Sequence, residues 1–569
     1  MTAREDCGAA DSWRDVRDFS RDWRGVSPVT KGRQRFGKQG NDVGVRARTA
    51  YARRVLATIR SAAVLGIDAY DVSVEVDCAQ GLPWFSVVGL PAGAVKESRE
   101  RVSAAIVNSG FSLPARRTTV NLAPADRKKD GTGFDLPIAL GVLVATGQIP
   151  ADCVRHVAAV GELALDGAIR PVRGVLPVAR LIARDRTATL IVPPGNVHEA
   201  QLVGDARLAA PESLGELTRQ LRRRRLEVPD VVPKTDMVPL DGPDLREVIG
   251  QEAAKRALEI AAAGDHGLLL VGPPGAGKTM LARCMPTLLP ALTQNEALEV
   301  IAVHSVAGVL LPERALSPVR PFRAPHHTIS TAGLVGGSSP PRPGEVSLAH
   351  LGVLFLDEML EFPRHTLDAM RQPLEDGHVV IARAAGSVRY PARFTLVGAM
   401  NPCPCGRAGD PTQRCTCAAA DVQRYRARLS GPLVDRIDLN VTVKAVPVRQ
   451  LAARDERECS ADVRTRVERA RAHQRERYGT FPSSHANGRA PGRWLQTSTP
   501  IEADARELLA TAAERLGLSA RGFHRVLRVA RTIADLDDDE VTRASHIAEA
   551  LRYRPVAARE AEEPTVQSA

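Results

Sequence analysis

Gly272-Pro-Pro-Gly-Ala-Gly-Lys-Thr279 stands directly after the apolar run Leu268 to Val271 and before a segment with helical spacing. This strand, loop and helix order is what a phosphate-binding P-loop requires. Gly272, Pro273, Pro274, Gly275, Ala276 and Gly277 supply the loop, and Gly275 and Gly277 let backbone N–H groups turn inward on phosphate oxygens. The helix N-terminus adds partial positive charge, Lys278 reaches the β- and γ-phosphates, and Thr279 ligates Mg²⁺. ATP and Mg²⁺ are the expected cofactors.

Further along, Val353-Leu-Phe-Leu-Asp357-Glu358 is an unbroken apolar run ending in two acids. It reads as a buried parallel strand that delivers carboxylates to the C-terminal edge of a sheet. Asp357 is expected to hold Mg²⁺ through its water shell and Glu358 to polarise the attacking water. Binding alone needs only the first acid, so the pair points to hydrolysis.

Around this centre the 569 residues, 44% of them hydrophobic, divide into an α/β multidomain chain. Residues 1–50 alternate Arg, Asp, Gly and Ser and read as a disordered basic tail. Residues 51–221 form a first α+β or α/β domain, with Val72, Val74 and Val76 in strand alternation. The 222–243 stretch carries four consecutive Arg and then Pro229, Pro233, Pro239 and Pro243, a linker through which neither helix nor strand can run. Residues 244–446 alternate strands and helices as in a parallel sheet, 447–500 hold a helical connector and loop, and 559–569 are a tail. Between them, 501–558 read as a helical lid, with Leu508, Leu509, Leu516, Val526, Leu527 and Ile533 at helical spacing.

The net charge is +11, but residues 1–60 carry 14 Lys and Arg against 7 Asp and Glu, so the body is only weakly positive. Charge is therefore compatible with DNA binding without arguing for it. The longest apolar run, Leu136 to Gly147, is too short to span a bilayer, and the N-terminus lacks a secretory pattern. A cytoplasmic protein without membrane spans is expected. Cys403, Cys405, Cys415 and Cys417 crowd together as two C-x-C pairs. Four thiolates could surround a structural Zn²⁺, although C-x-C is tighter than the usual spacing, and free thiols or a redox-sensitive pair are the alternatives.

The P-loop and acid pair resemble those of AAA+ ATPases. Ile249-Gly-Gln-Glu252, Phe322-Arg-Ala-Pro-His-His-Thr328, Pro341-Arg-Pro-Gly-Glu-Val-Ser347, Asn401-Pro-Cys-Pro-Cys-Gly406 and Gly431-Pro-Leu-Val-Asp-Arg-Ile-Asp438 resemble the YifB/ComM family of magnesium-chelatase-like ATPases. The likeness runs from about Thr58 to Pro555. It implies a homo-hexameric ring with ATP sites between subunits, Asn401 as sensor 1, Arg436 as the arginine finger of the neighbouring site, and Arg521 as the sensor 2 arginine. Asn401 follows the apolar strand Phe394 to Val397, where its amide could orient the attacking water. His326-His327, lacking a third spaced ligand, read as polar residues of an insert.

Asp130-Gly-Thr-Gly133 and Gly161-Glu-Leu-Ala-Leu-Asp-Gly167 resemble the Lon-protease-like domain that this family carries at its N-terminus. The position matching the Ser nucleophile is Gly133 and that matching the Lys base is Leu176, so Ser–Lys chemistry cannot run. The basic stretch Arg116 to Lys129 reads either as phosphate contacts or as a solvated loop.

Val379 to Ala382 and Val388 to Tyr390 flank Arg383-Ala-Ala-Gly-Ser387 and read as a β-hairpin with Gly386 at its turn. The resemblance aims Arg383 and Arg389 at DNA in a central pore; solvated surface arginines are the alternative. The resemblance implies a DNA helicase acting in branch migration during recombination of incoming DNA, so the leading reading is an ATP-driven motor on DNA. A magnesium-chelatase-type ATPase subunit and a protein-remodelling ATPase are the alternatives. The Asp-x-Ser-x-Ser string of chelatase partner domains does not occur.

Overall fold

The computed structural model describes residues 56–230, 242–310, 319–383, 386–408, 413–446, 457–479, 486–492, 494–495 and 499–554. The basic tail 1–50, residues 51–55, linker residues 231–241, parts of the 447–500 connector, Ala384-Ala385 of the hairpin and residues 555–569 lie outside the described residues.

The first sheet has seven strands: β1 (Ala57–Leu65), β2 (Asp68–Ala79), β3 (Trp84–Val88), β4 (Arg117–Ala123), β5 (Val157–Ala159), β6 (Thr189–Ile191) and β7 (Arg207–Ala209). Their order is β3-β4-β2-β1-β5-β6-β7. The β1-β2 and β2-β4 pairs are antiparallel and the others parallel, so this is a mixed sheet. Period-two alternation buries Ile59, Val72, Val74, Val76, Val120 and Leu122. Helix α1 (Asp135–Ala145) packs against β1 and β2, so the longest apolar run of the sequence is a core helix. A Cβ on Gly141 would lie 2.5 Å from Val76 Cγ2, so glycine is what lets this helix approach the sheet closely.

The second sheet is built from β8 (Leu268–Val271), β9 (Phe322–Arg323), β10 (Val353–Leu356), β13 (Thr395–Met400) and β14 (Leu439–Thr442). The order is β9-β10-β13-β8-β14 and every pair is parallel. Strands β8 and β10 are apolar throughout because both faces are covered. Leu268, Leu270, Val353 and Phe355 enter one core, whereas Leu269, Leu354 and Leu356 enter the other. Strands β11 (His378–Arg383) and β12 (Gly386–Pro391) form a separate antiparallel hairpin. Gly386 pairs with Arg383 as the first residue of β12, which corrects its expected place at the turn: both strands extend further than their apolar residues signalled.

Helices α3 (Glu252–Gly264), α4 (Lys278–Leu288) and α5 (Gln294–Ala307) belong to this second unit. After it come α6 (Ser460–Tyr478), α7 (Ala503–Leu516), α8 (Ala520–Leu536) and α9 (Ala544–Arg552). Val463, Val467, Leu509, Val526, Leu527 and Ile533 from these helices share one apolar core with Leu268 and Phe355. Leu516 departs from the expected buried stripe: it ends α7 beside the left-handed Gly517 and is 40% exposed.

The two sheets meet through helix α2 (Val175–Ile182), whose Leu176 packs with Ile301 and Ala302 of α5. The Glu199 carboxylate accepts from the Leu176 N–H at 2.7 Å and from the Ser305 hydroxyl of α5. Burial pushes the Glu199 carboxyl above its ordinary value, although these donors oppose the shift. Among the described residues no helix is long and apolar enough to cross a membrane.

Candidate active site

Three neighbouring strand ends build the site. The β8–β13 register pairs Val271 with Met400, which sets Gly272 beside Asn401, and the Gly272 N–H donates to Met400 O at 3.2 Å. On the other side of β13, β10 ends at Leu356, directly before Asp357. Gly275 and Gly277 adopt φ of +77° and +88°, which suits glycine, and Gly277 caps α4. A Cβ on either would meet no protein atom within 4 Å, so this side of the loop has room for phosphate groups.

Lys278 is 9% exposed, and its amine donates to Gly272 O at 2.7 Å, Pro273 O at 2.9 Å and Asn401 Oδ1 at 3.2 Å. Burial pushes this amine below its ordinary value, while the Asp357 and Glu358 carboxylates pull the other way. The Thr279 hydroxyl donates to Asp357 Oδ2 at 2.8 Å, so the two groups expected at Mg²⁺ are already adjacent. Hydroxyl plus carboxylate is a hard oxygen donor set that fits this ion. The other Asp357 oxygen accepts the Glu358 N–H at 3.0 Å. That bond supports Glu358 in a left-handed conformation, φ 48° and ψ 47°, which costs a non-glycine residue about 1 kcal/mol or more.

Two participants escaped the sequence reading. His327, expected to be an insert residue, lies with Nδ1 3.7 Å from Glu358 Oε2. Gln251, in its left-handed position before α3, donates to Ala276 O of the P-loop at 3.4 Å and to Lys444 O at 2.5 Å. Its place in Ile249-Gly-Gln-Glu252 was the available signal. Two other motifs join through a bidentate pair, Arg323 Nε and Nη2 to Glu345 at 2.6 and 2.8 Å.

Arg436 and Arg521 form a second group. Arg436 donates to Pro432 O at 2.7 Å and pairs with one Glu375 oxygen, while Arg521 lies 3.9 Å from the other. The Arg436 guanidinium beside Glu375 holds that carboxyl below its ordinary value. At the end of the same motif, Asp438 accepts from buried His266 Nδ1 at 3.0 Å, and His266 Nε2 meets Thr532 of α8 at 2.8 Å.

The four cysteines come together after Asn401. Their sulfurs lie within 4.8 Å of one another, and separations of 3.4, 3.6 and 3.6 Å join Cys403, Cys405 and Cys415. Backbone N–H groups of Arg407 and Thr416 bring the Cys405 thiol down to about 6. On the hairpin, Arg383 and Arg389 are both exposed, with Arg389 Nη2 3.1 Å from His378 Nδ1.

The basic stretch Arg116 to Lys129 needs correction at its end. Lys129 is fully buried and its amine donates to Pro124 O, so it is neither a phosphate contact nor a solvated residue. The expectation failed because the backbone carbonyl that receives the amine leaves no mark in charge pattern. At the other notable positions of the first unit, Gly133 has no side chain and Leu176 is buried apolar surface.

Comparison with known proteins gives three family matches: magnesium chelatase, subunit ChlI, over residues 244–451; subunit ChlI of Mg-chelatase over 74–196; and magnesium chelatase, subunit ChlI C-terminal, over 457–554. Competence protein ComM of Haemophilus influenzae is 44% identical over 504 residues, covering 88% of this chain and 97% of that protein. The uncharacterized protein YifB of Escherichia coli is 42% identical over the same shares. The magnesium-chelatase 38 kDa subunit of Rhodobacter capsulatus is 29% identical over 288 residues, 47% of this chain and 68% of that protein. Near-complete coverage at this identity, with the chelatase-type matches on both units, means that the chain belongs to the YifB/ComM family of magnesium-chelatase-like proteins.

Proposed function

We propose that this protein is an ATP-hydrolysing homo-hexameric ring motor that acts on DNA as a helicase in branch migration. Its family implies an AAA+ ATPase. The observation that carries the reading is the convergence of Lys278, Thr279, Asp357, Glu358 and Asn401 from three adjacent parallel strand ends. In this reading Lys278 binds the phosphates, Glu358 takes a proton from the attacking water, and Asn401 orients that water. Thr279 and Asp357 would hold Mg²⁺, which when bound would neutralise phosphate charge. Cys403, Cys405, Cys415 and Cys417 would hold a structural Zn²⁺.

Arg436 and Arg521 gather on Glu375 rather than on their own Lys278, which suits guanidiniums offered to the neighbouring subunit's nucleotide. The first unit, Lon-protease-like in this reading, serves as a docking module without peptidase activity. Its Leu176 packs into the junction with α5, where a catalytic lysine would need an open cleft. The Haemophilus influenzae relative is a competence protein, which supports incoming DNA as the motor's substrate.

The test is ATP turnover by the purified protein with and without forked DNA, beside strand displacement on the same forks. DNA-stimulated turnover with displacement is expected. Turnover indifferent to DNA would reject the DNA motor and leave the chelatase or remodelling readings; absence of turnover would reject the motor altogether.

A further inference from the structure

The loop that carries the four thiols also touches the phosphate-binding loop. We propose that a Zn²⁺-class ion held by Cys403, Cys405, Cys415 and Cys417 is a working part of the nucleotide site, so that metal occupancy sets nucleotide affinity. This rests on the Zn²⁺ reading above and adds a regulatory consequence to it.

Three of the four sulfurs have the right spacing, and Cys417 completes a group whose members all lie within 4.8 Å of one another. A Zn–S bond of about 2.3 Å in a tetrahedron gives S–S edges of about 3.8 Å. The observed separations of 3.4, 3.6 and 3.6 Å are close to such edges, and too long for a disulfide of about 2.05 Å. Soft thiolates in this arrangement select Zn²⁺ over Mg²⁺ or Ca²⁺. Cys403 is fully buried, and the Ala408 N–H donates to its sulfur at 3.2 Å, the kind of support that orients a metal ligand.

The ligand loop is joined to the nucleotide site twice. Asn401 precedes the first ligand by two residues, and its Oδ1 accepts from Lys278. Past Cys405, the chain turns at Gly406, whose N–H donates to Cys403 O at 2.9 Å. Gly406 has φ +77°, and a Cβ there would lie 2.7 Å from Pro274 Cδ, 3.0 Å from Pro274 Cγ and 3.9 Å from Asn401 Cγ. The turn therefore rests on the P-loop with no room for a side chain.

Among the described residues the loop has few other anchors: Arg426 Nε donates to Pro402 O at 3.3 Å, but helix Ala419–Arg426, which carries it, buries none of its residues. Ordering costs about 1–2 kcal/mol per residue, so a loop with so small an apolar anchor needs the metal to keep its shape. Losing the ion would free the Cys403–Gly406 turn from Pro274 and Asn401 and unsettle the groups that position Lys278.

The test uses the full-length reduced protein, elemental analysis for Zn²⁺ and titration with a fluorescent ADP analogue, which needs no turnover. About one Zn²⁺ per chain is expected, and stripping it should weaken ADP binding by about 5- to 150-fold, restored on reloading. Because coupling is reciprocal, saturating ADP should raise Zn²⁺ affinity by the same factor. Gly406→Ala keeps every ligand, so it should retain Zn²⁺ while losing ADP affinity. Zn²⁺ well below one per chain overturns the metal site and this proposal with it. One Zn²⁺ per chain, with unchanged ADP affinity in Gly406→Ala, overturns the coupling and leaves the metal site standing. If stripped protein unfolds, Zn²⁺ affinity measured with and without saturating ADP decides the matter: equal affinities overturn the coupling.

Discussion

Replacing Lys278 with alanine tests the division of labour at the site. Its amine makes all three donations inside the protein, to Gly272 O, Pro273 O and Asn401 Oδ1. A bound nucleotide offers charged phosphate oxygens in place of neutral carbonyls, a gain of at least one charge-assisted hydrogen bond. Such bonds contribute about 1.5–3 kcal/mol, so Lys278→Ala should weaken ATP binding by about 10- to 150-fold. Glu358 stands differently: its side chain is 59% exposed and its nearest ion-pair partner is the His327 imidazole at 3.7 Å. An exposed ion pair contributes at most about 1 kcal/mol, so Glu358→Gln should leave affinity nearly unchanged. Its turnover should nevertheless fall by about 10²- to 10⁴-fold, the contribution of a positioned general base. Fluorescent-nucleotide titration beside single-turnover hydrolysis separates the two. Equal affinity losses in both variants, or full affinity in Lys278→Ala, would refute the reasoning.

Arg436→Ala should bind ATP as an isolated subunit yet lose turnover in the ring, and mixing it with Glu358→Gln subunits should recover activity above either alone. Mixed rings without recovery would remove the support for action across the interface. Burial pushes the Asp438 carboxyl up, but His266, with Arg554 and Arg525 behind it, outweighs burial and holds it below the ordinary range. A depressed folded-state value means stability present above the unfolded value of about 3.9 and lost as pH falls through the folded one. Asp438→Ala should thus lower stability by about 3–5 kcal/mol at neutral pH. It should also show a shallower acid loss than wild type in denaturant titrations; parallel pH curves would contradict this. Arg383→Ala should weaken DNA binding and flatten its salt slope by about 0.7 for each lost single-strand phosphate contact, with basal ATPase intact. An unchanged slope would move the DNA path off this hairpin. Purified protein should cleave no casein with or without ATP, and ATP-dependent cleavage absent from Glu358→Gln would overturn the loss of peptidase chemistry.

The P-loop, the apolar strand ending at Asp357-Glu358 and the Arg383 hairpin were legible along the chain because each is a local pattern. Glycines at fixed spacing, an unbroken run of Val, Leu and Phe, and two short strand-like runs around a turn need no partner to be recognised. The order β9-β10-β13-β8-β14 was not legible, since it depends on which strands pair across intervening helices. That order alone sets Asn401 between Lys278 and Asp357. The same is true of His327 beside Glu358, of Arg436 and Arg521 meeting on Glu375, and of Gly406 resting on Pro274. Lys129 shows the limit most plainly, because the sequence displays its charge while only folding buries its side chain and supplies the backbone carbonyl that receives it. Local chemistry follows from neighbouring residues through backbone geometry and hydrophobic period, whereas contacts between distant residues follow from how whole surfaces are buried together.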